Sequence, residues 1–323
     1  MKTWTLYLVL PGRYGPAVSG LLTLLLLVAI QLALVGEIFW VSTGLFFAAT
    51  LAYLPAAHAY ILGITKTAVH ELAPNLSVSM SERSAILERM ERPGWRLQLI
   101  CLLVGSAAAI AHIQFMGFIP RLPDGSADFS GSIVKVSIMG TLLTWITMTT
   151  VISCLIQNNS LLSNLAVHMT QVDLFRKQPW QPLARVAIAS SLALIGSNAL
   201  FPLLFIDSGT SSAMKILPGM MLTVPTVVAM VLLPLRSARQ LIAAQKSQRL
   251  NAIDQAISKL PNPKSLVDIQ TLNTLLTQRT HLQKVSSWPL NLDNVGRLLF
   301  YMFIPPLTWV GAALIERVVD GVL

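Results

Sequence analysis

The sequence predicts an all-α fold: a polytopic transmembrane helix bundle of six or seven spans, with a cytoplasmic antiparallel helical hairpin. Three observations predict it. The chain is 54% hydrophobic and only 11% charged, against about 25% charged in soluble domains, which is too little polar surface to cover a soluble globule of 323 residues. Apolar runs of about 20 residues, enough for a helix to cross ~30 Å of hydrocarbon, recur along the chain. The basic residues gather in alternate loops.

The first run, Val18–Gly36, follows Lys2, a short apolar patch and Arg13. It lacks a small-residue cleavage site before Glu37, so it is a retained span. The second, Phe39–Thr65, carries Gly44, Ala48, Ala52 and Ala56 at four-residue spacing. On such a stripe another helix, from this chain or a second copy, can pack closely. The connection Thr67–Arg96 is charged, and its pairs Glu88/Arg92 and Glu82/Arg89 suit a short solvated helix. Leu97–Ile119, Ile133–Ile156, Arg185–Ile206 and Ile216–Leu235 complete six spans, and Pro202, Pro218 and Pro225 predict broken helices in the last two.

The stretch 236–294 holds two apolar stripes, the first through Leu235, Ile242, Ile253, Ile257 and Leu260. The second runs through Leu266, Ile269, Leu272, Leu276, Leu282 and Val285, after the stop at Pro261–Pro263 and a box-like Ser265/Asp268 pair. Two helices whose stripes bury each other, or present a docking surface, fit this pattern. A last apolar run, Leu298–Ile315, contains Pro305 and Pro306. It reads as a kinked seventh span in which the prolines free the carbonyls of Tyr301 and Met302 and form a candidate hinge. The chain thus divides into a bundle (1–235), a hairpin (236–294) and a proline-kinked segment (295–323).

Of the 23 basic residues, all but Arg121, Lys135, Lys215 and Arg317 fall on the side of the N-terminus. That asymmetry predicts a cytoplasmic N-terminus. It also accounts for the net charge of +9 without nucleic acid, since no aromatic-interleaved basic patch accompanies it. Cys101 and Cys154 lie in apolar runs and read as buried small side chains.

No catalytic set emerges. His70-Glu71-Leu72 begins like a zinc-protease motif, but Pro74 stands where the second histidine is needed. Ser212 and Lys215 match a short S-x-x-K pattern in an outer loop, where Lys215 better serves to anchor a span. No catalytic residue, cofactor or metal site is therefore predicted. Candidate polar groups lie inside the spans instead. His58 and His112 form a candidate intramembrane pair, or each makes one interhelical hydrogen bond. Thr141, Thr144 and Thr147 in the fourth run and Asn198 in the fifth are candidate pore-lining groups, or bond across packed helices.

The segments Val172–Phe175, Leu233–Lys246 and Ser287–Arg317, with a Trp-Pro followed by Arg, Tyr, Pro-Pro and Trp-Val-Gly, resemble a family of bacterial multi-pass inner-membrane proteins of uncharacterised activity. The resemblance implies an inner-membrane bundle with a cytoplasmic helical insertion, and carries over no functional residue. The expected function is a non-enzymatic membrane protein that forms or regulates an ion or small-solute permeation pathway. A membrane interaction or signalling subunit docking a partner through 236–294 is the alternative, and a membrane-embedded enzyme the third. Expected partners are the lipid bilayer, a second copy of the chain and a cytosolic or membrane protein.

Overall fold

The structure, a computed structural model, describes residues 2–35, 41–117, 119–122, 124–169, 178–201, 203, 213–259, 266–286 and 300. Glu37, Pro202, Ser212, Pro261–Pro263, Ser265, Pro305 and Pro306 lie outside the described residues, as does nearly all of Leu298–Ile315. Among the described residues the fold is helical with no strand. Five helices are long and apolar enough to cross a membrane.

In chain order the helices are α1 (Trp4–Tyr7), α2 (Gly15–Val35), α3 (Val41–Leu72), α4 (Met80–Glu91), α5 (Trp95–Met116), α6 (Ser132–Ala166), α7 (Gln181–Asn198), α8 (Ala213–Ser258) and α9 (Leu266–Lys284). Local chemistry sets several ends. At α4, Ser79 Oγ accepts from the Glu82 N–H and the Glu82 carboxylate accepts from the Ser79 N–H, closing a capping box. Glu82 is therefore turned back on Ser79 and away from the expected Arg89, while the Glu88–Arg92 pair forms at 2.8 Å. Gly117, at φ 61°, ends α5 in the left-handed conformation that glycine adopts without a Cβ clash.

The core is built from α3, α6, α7 and α8, with α2 against α3 and α5 against α6. Its buried cluster runs from Leu54 on α3 to Val186 on α7 and Met230 on α8. The small-residue stripe faces α2 of the same chain: Gly20 lies against Ala52 and Ala56, and Gln31 lies over Gly44. Ala48 between them is fully buried. Elsewhere Phe47 sits on Gly140, Tyr53 on Gly196, and the Ile146 backbone on Gly105. By contrast α2 presents Leu21, Leu22, Leu25 and Leu26, and α5 presents Leu99, Leu102 and Leu103, all exposed. That outward apolar surface suits lipid.

Four helices depart from the expected boundaries: α3 and α6 run on to Leu72 and Ala166, past Thr65 and Ile156. α7 starts at Gln181 and ends at Asn198, short of Ile206, and its polar termini keep it out of the five membrane-length helices. α8 spans 46 residues, about 69 Å at ~1.5 Å per residue, well beyond ~30 Å of hydrocarbon. It continues unbroken from Leu235 into Arg236, so the last span and the first arm of the expected hairpin are one helix. Pro218, Pro225 and Pro234 lie within it without ending it.

α9 runs antiparallel to the far half of α8. Arg279 pairs with Asp254 at 2.7 Å, and Lys246 Nζ donates to the carbonyls of Gln283 and Val285 at 2.8 and 2.7 Å. Lys246 thereby serves the orphan carbonyls that end α9. The apolar stripe of α9 is only partly covered: Leu282 is buried, but Leu266, Ile269 and Leu276 are exposed.

Two glycines give opposite expectations. A Cβ at Gly105 would lie 2.8 Å from Ile146 Cα, so Gly105→Ala should destabilise by about 1–3 kcal/mol through overpacking. Gly63 has nothing within 4 Å, and Gly63→Ala should gain up to ~1 kcal/mol of helix propensity. Unfolding midpoints of both variants in detergent micelles check the pair.

Candidate functional site

The interior polar groups come together through helix register. α3 and α6 are parallel, because Phe47 meets Gly140 near one end while Leu76 and Ser77 meet Met169 and His168 at the other. The residue offset is the same at both ends. α3 and α7 are antiparallel: Phe46 stacks on Phe201 at 5.4 Å, Tyr53 Oη donates to the Ala193 carbonyl at 2.8 Å, and Glu71 pairs with Arg185 at 2.5 Å.

These contacts sort the buried polar side chains into tiers. Thr50 of α3 is level with Thr144 of α6 and Asn198 of α7. His58 is level with Thr150 of α6 and Ser190 of α7, about 12 Å along the axis. Asn158 of α6 is level with Thr65, ~10 Å further toward the end that carries Lys66 and Arg185. All are buried. The Thr50, Thr144 and Ser190 hydroxyls, His58 Nε2, Asn158 Nδ2 and Asn198 Oδ1 have no hydrogen-bond partner among the described residues. Leaving such a group unpaired costs about 1–3 kcal/mol, and six of them lie on α3, α6 and α7 inside the bundle.

The remaining threonines are committed to the backbone. Thr141 donates to the Ser137 carbonyl and Thr147 to that of Leu143, each at 2.7 Å. Of the three threonines predicted to line a path, only Thr144 keeps its hydroxyl free of such a bond. The two histidines have separate partners: His112 Nδ1 accepts from Trp145 Nε1 at 2.7 Å, and His58 Nδ1 shares a hydrogen bond with Thr5 Oγ1 at 3.0 Å. Each makes the interhelical bond that was the alternative to a pair.

Thr5 belongs to α1, and this is the feature that sequence reasoning missed. The N-terminal segment enters the bundle from the end carrying Lys66. Thr3 and Thr5 are fully buried. Thr3 Oγ1 lies 3.8 Å from Cys154 Sγ, and Trp4 Nε1 donates to Thr150 Oγ1 at 3.4 Å. The Thr3 N–H donates to the Glu91 carbonyl at 3.2 Å. Lys2 and Lys66 both pair with the Glu91 carboxylate. The bonded Lys66 ammonium holds Glu91 below the usual carboxylate range, against an opposing push from partial burial. The segment thus covers the His58 tier. A two-residue run of buried threonines on a single-turn helix gives no periodicity by which it could have been found.

Beside this segment lies an open cleft of about 720 Å³ between α1, α3 and the end of α4. The described residues include no group of three or more acidic, histidine or cysteine side chains placed to hold a metal ion, and Cys101 and Cys154 are free, buried thiols. No family model, curated protein or solved structure matches the chain, so its function is argued from this geometry.

Thr5→Val should strand His58 Nδ1 and cost about 1–3 kcal/mol, visible as a lowered unfolding midpoint and a mobile spin label at the exposed position Tyr7. The Glu91 ion pairs have a definite pH sign. Because the folded carboxyl titrates below its ordinary range, their contribution is complete above that range and is lost as the pH falls through the lowered value. The same label should therefore stay immobile from neutral pH down to the carboxylate range and loosen below it, whereas in Glu91→Gln it should be loose throughout.

Proposed function

We propose that the chain is a non-enzymatic membrane protein whose core helices form a narrow permeation pathway for an ion or a small polar solute. One observation carries this reading: six buried hydroxyl, amide and imidazole atoms that lack a hydrogen-bond partner, at shared levels along α3, α6 and α7. Such groups can replace part of the hydration shell of a small solute. Their neutrality, with no carboxylate among the six, favours a passive path over a proton- or sodium-driven cycle.

The basic loops favour a cytoplasmic N-terminus, and the resemblance to bacterial multi-pass proteins favours an inner membrane. The N-terminal segment then closes the pathway from the cytoplasmic side, and α9 with the far half of α8 forms the cytoplasmic hairpin. The small-residue stripe is filled by α2 and lends no support to a second copy. The exposed Leu266, Ile269 and Leu276 on α9 favour a second reading, in which the hairpin docks a protein partner.

Reconstitution into liposomes tests the proposal. The intact protein should pass a low flux of small ions or polar solutes. Removing residues 2–10 should raise it at least about tenfold, as expected for removing a bond-held closure of roughly 1.4 kcal/mol or more. Thr144→Val with Asn198→Leu should suppress the flux of the truncated form. No flux from either form across a panel of ions and polar solutes overturns the pathway and leaves the docking reading.

A further inference from the structure

The cleft beside the N-terminal segment combines basic and apolar side chains. Lys2, Lys66 and Arg92 line it with a single carboxylate, Glu91. Glu88 meets Arg92 from the solvent side at 2.8 Å, so positive charge remains in excess even when both acids are counted. The other walls are apolar: Leu6, Val9, Leu10, Pro16, Ala59 and Leu62. Pro16 lies in the first turn of α2, on the side of that helix that faces α3. Exposed Tyr7 and Tyr14 flank the mouth, and the Arg13 guanidinium lies 5.7 Å from the centre of the Tyr14 ring. Aromatic and basic side chains together are the signature of the headgroup level of a bilayer.

We propose that this cleft binds one anionic phospholipid, with its phosphate among Lys2, Lys66 and Arg92 and an acyl chain lying along the apolar wall toward α2. The cleft is open to solvent, with a volume of about 720 Å³. Arg92 brings a planar fork of donors and the lysines bring mobile ammonium groups, the two kinds of cation that hold phosphate oxygens. The apolar walls, with basic and aromatic side chains at the same level, commit the site to a lipid, since a water-borne phosphate would leave those walls uncovered. The inference needs no permeation pathway and survives if that reading fails.

The test is lipid binding to the full chain in nanodiscs of phosphatidylcholine with a trace of labelled phosphatidylglycerol, read by label quenching from a probe at Tyr7→Cys. Phosphatidylglycerol should be enriched at the site roughly tenfold or more over labelled phosphatidylcholine. Arg92→Gln, which removes the exposed pair with Glu88, should reduce the preference severalfold. The combined Lys2→Gln, Lys66→Gln and Arg92→Gln variant should abolish it, while Lys135→Gln, remote from the cleft, should leave it intact. Ala59→Trp provides a variant of unchanged charge: filling the cleft should lower the binding of both lipids. A preference that is absent, or that survives both Arg92→Gln and Ala59→Trp, overturns the proposal. Displacement of the label by millimolar inorganic phosphate or glycerol 3-phosphate also overturns it, because the site would then take a soluble anion.

Discussion

The whole interior depends on one register, the parallel alignment of α3 on α6. It is pinned twice. Phe47 rests on Gly140, where any side chain would collide with the ring, and at the other end the Ser77 N–H donates to the His168 carbonyl at 2.9 Å. A slip of one residue would rotate a helix by about 100° relative to its neighbour. Thr50 would then leave Thr144, and His58 would turn away from both Thr5 and Ser190. Glycine at position 140 is therefore part of the site although it carries no functional group.

From that register follows a conflict that the fold maintains. In lipid a helix satisfies its own backbone, and polar side chains must find partners inside the bundle. Most do: Thr147 and Ser191 bond back to carbonyls one turn earlier, and Ser163 bonds Ser237 across α6 and α8 at 2.9 Å. The unpaired groups cluster on α3, α6 and α7, at levels shared between helices. Packing alone would favour apolar side chains there, since each unpaired group opposes folding by an amount comparable to a sizeable core mutation. The N-terminal segment bonds polar groups at the same level, His58 Nδ1 and Thr150 Oγ1, which couples its docking to the polarity of the interior.

Much of the fold was legible. Composition and apolar runs gave α2 and α5 nearly at their boundaries and the starts of α3 and α6, which both run on past their apolar stretches, and the Gly44–Ala56 stripe marked a close helix contact. The threonines of α6 divided between backbone bonding and free hydroxyls, which spacing alone cannot do because both uses share one residue type. The entry of Leu235 into Arg236 shows another limit. The change in composition there records where the chain leaves an apolar environment, but nothing in it stops a helix, and α8 goes on. The partners of His58 and His112 depended on which helices neighbour each other, which no local pattern encodes. The role of Thr3 and Thr5 was invisible for a different reason: a short helix is held by tertiary contacts, not by its own periodicity.

The account turns on the N-terminal segment occupying the interior beside α6, and the chain contains a natural reporter. Thr3 Oγ1 lies 3.8 Å from Cys154 Sγ, a separation a disulfide can bridge after a Thr3→Cys substitution. With Cys101 replaced by serine, mild oxidation in native membranes followed by peptide mass spectrometry should yield an intramolecular link between positions 3 and 154. Finding both thiols unlinked, or position 3 linked only between chains, would contradict the insertion and with it the closed pathway.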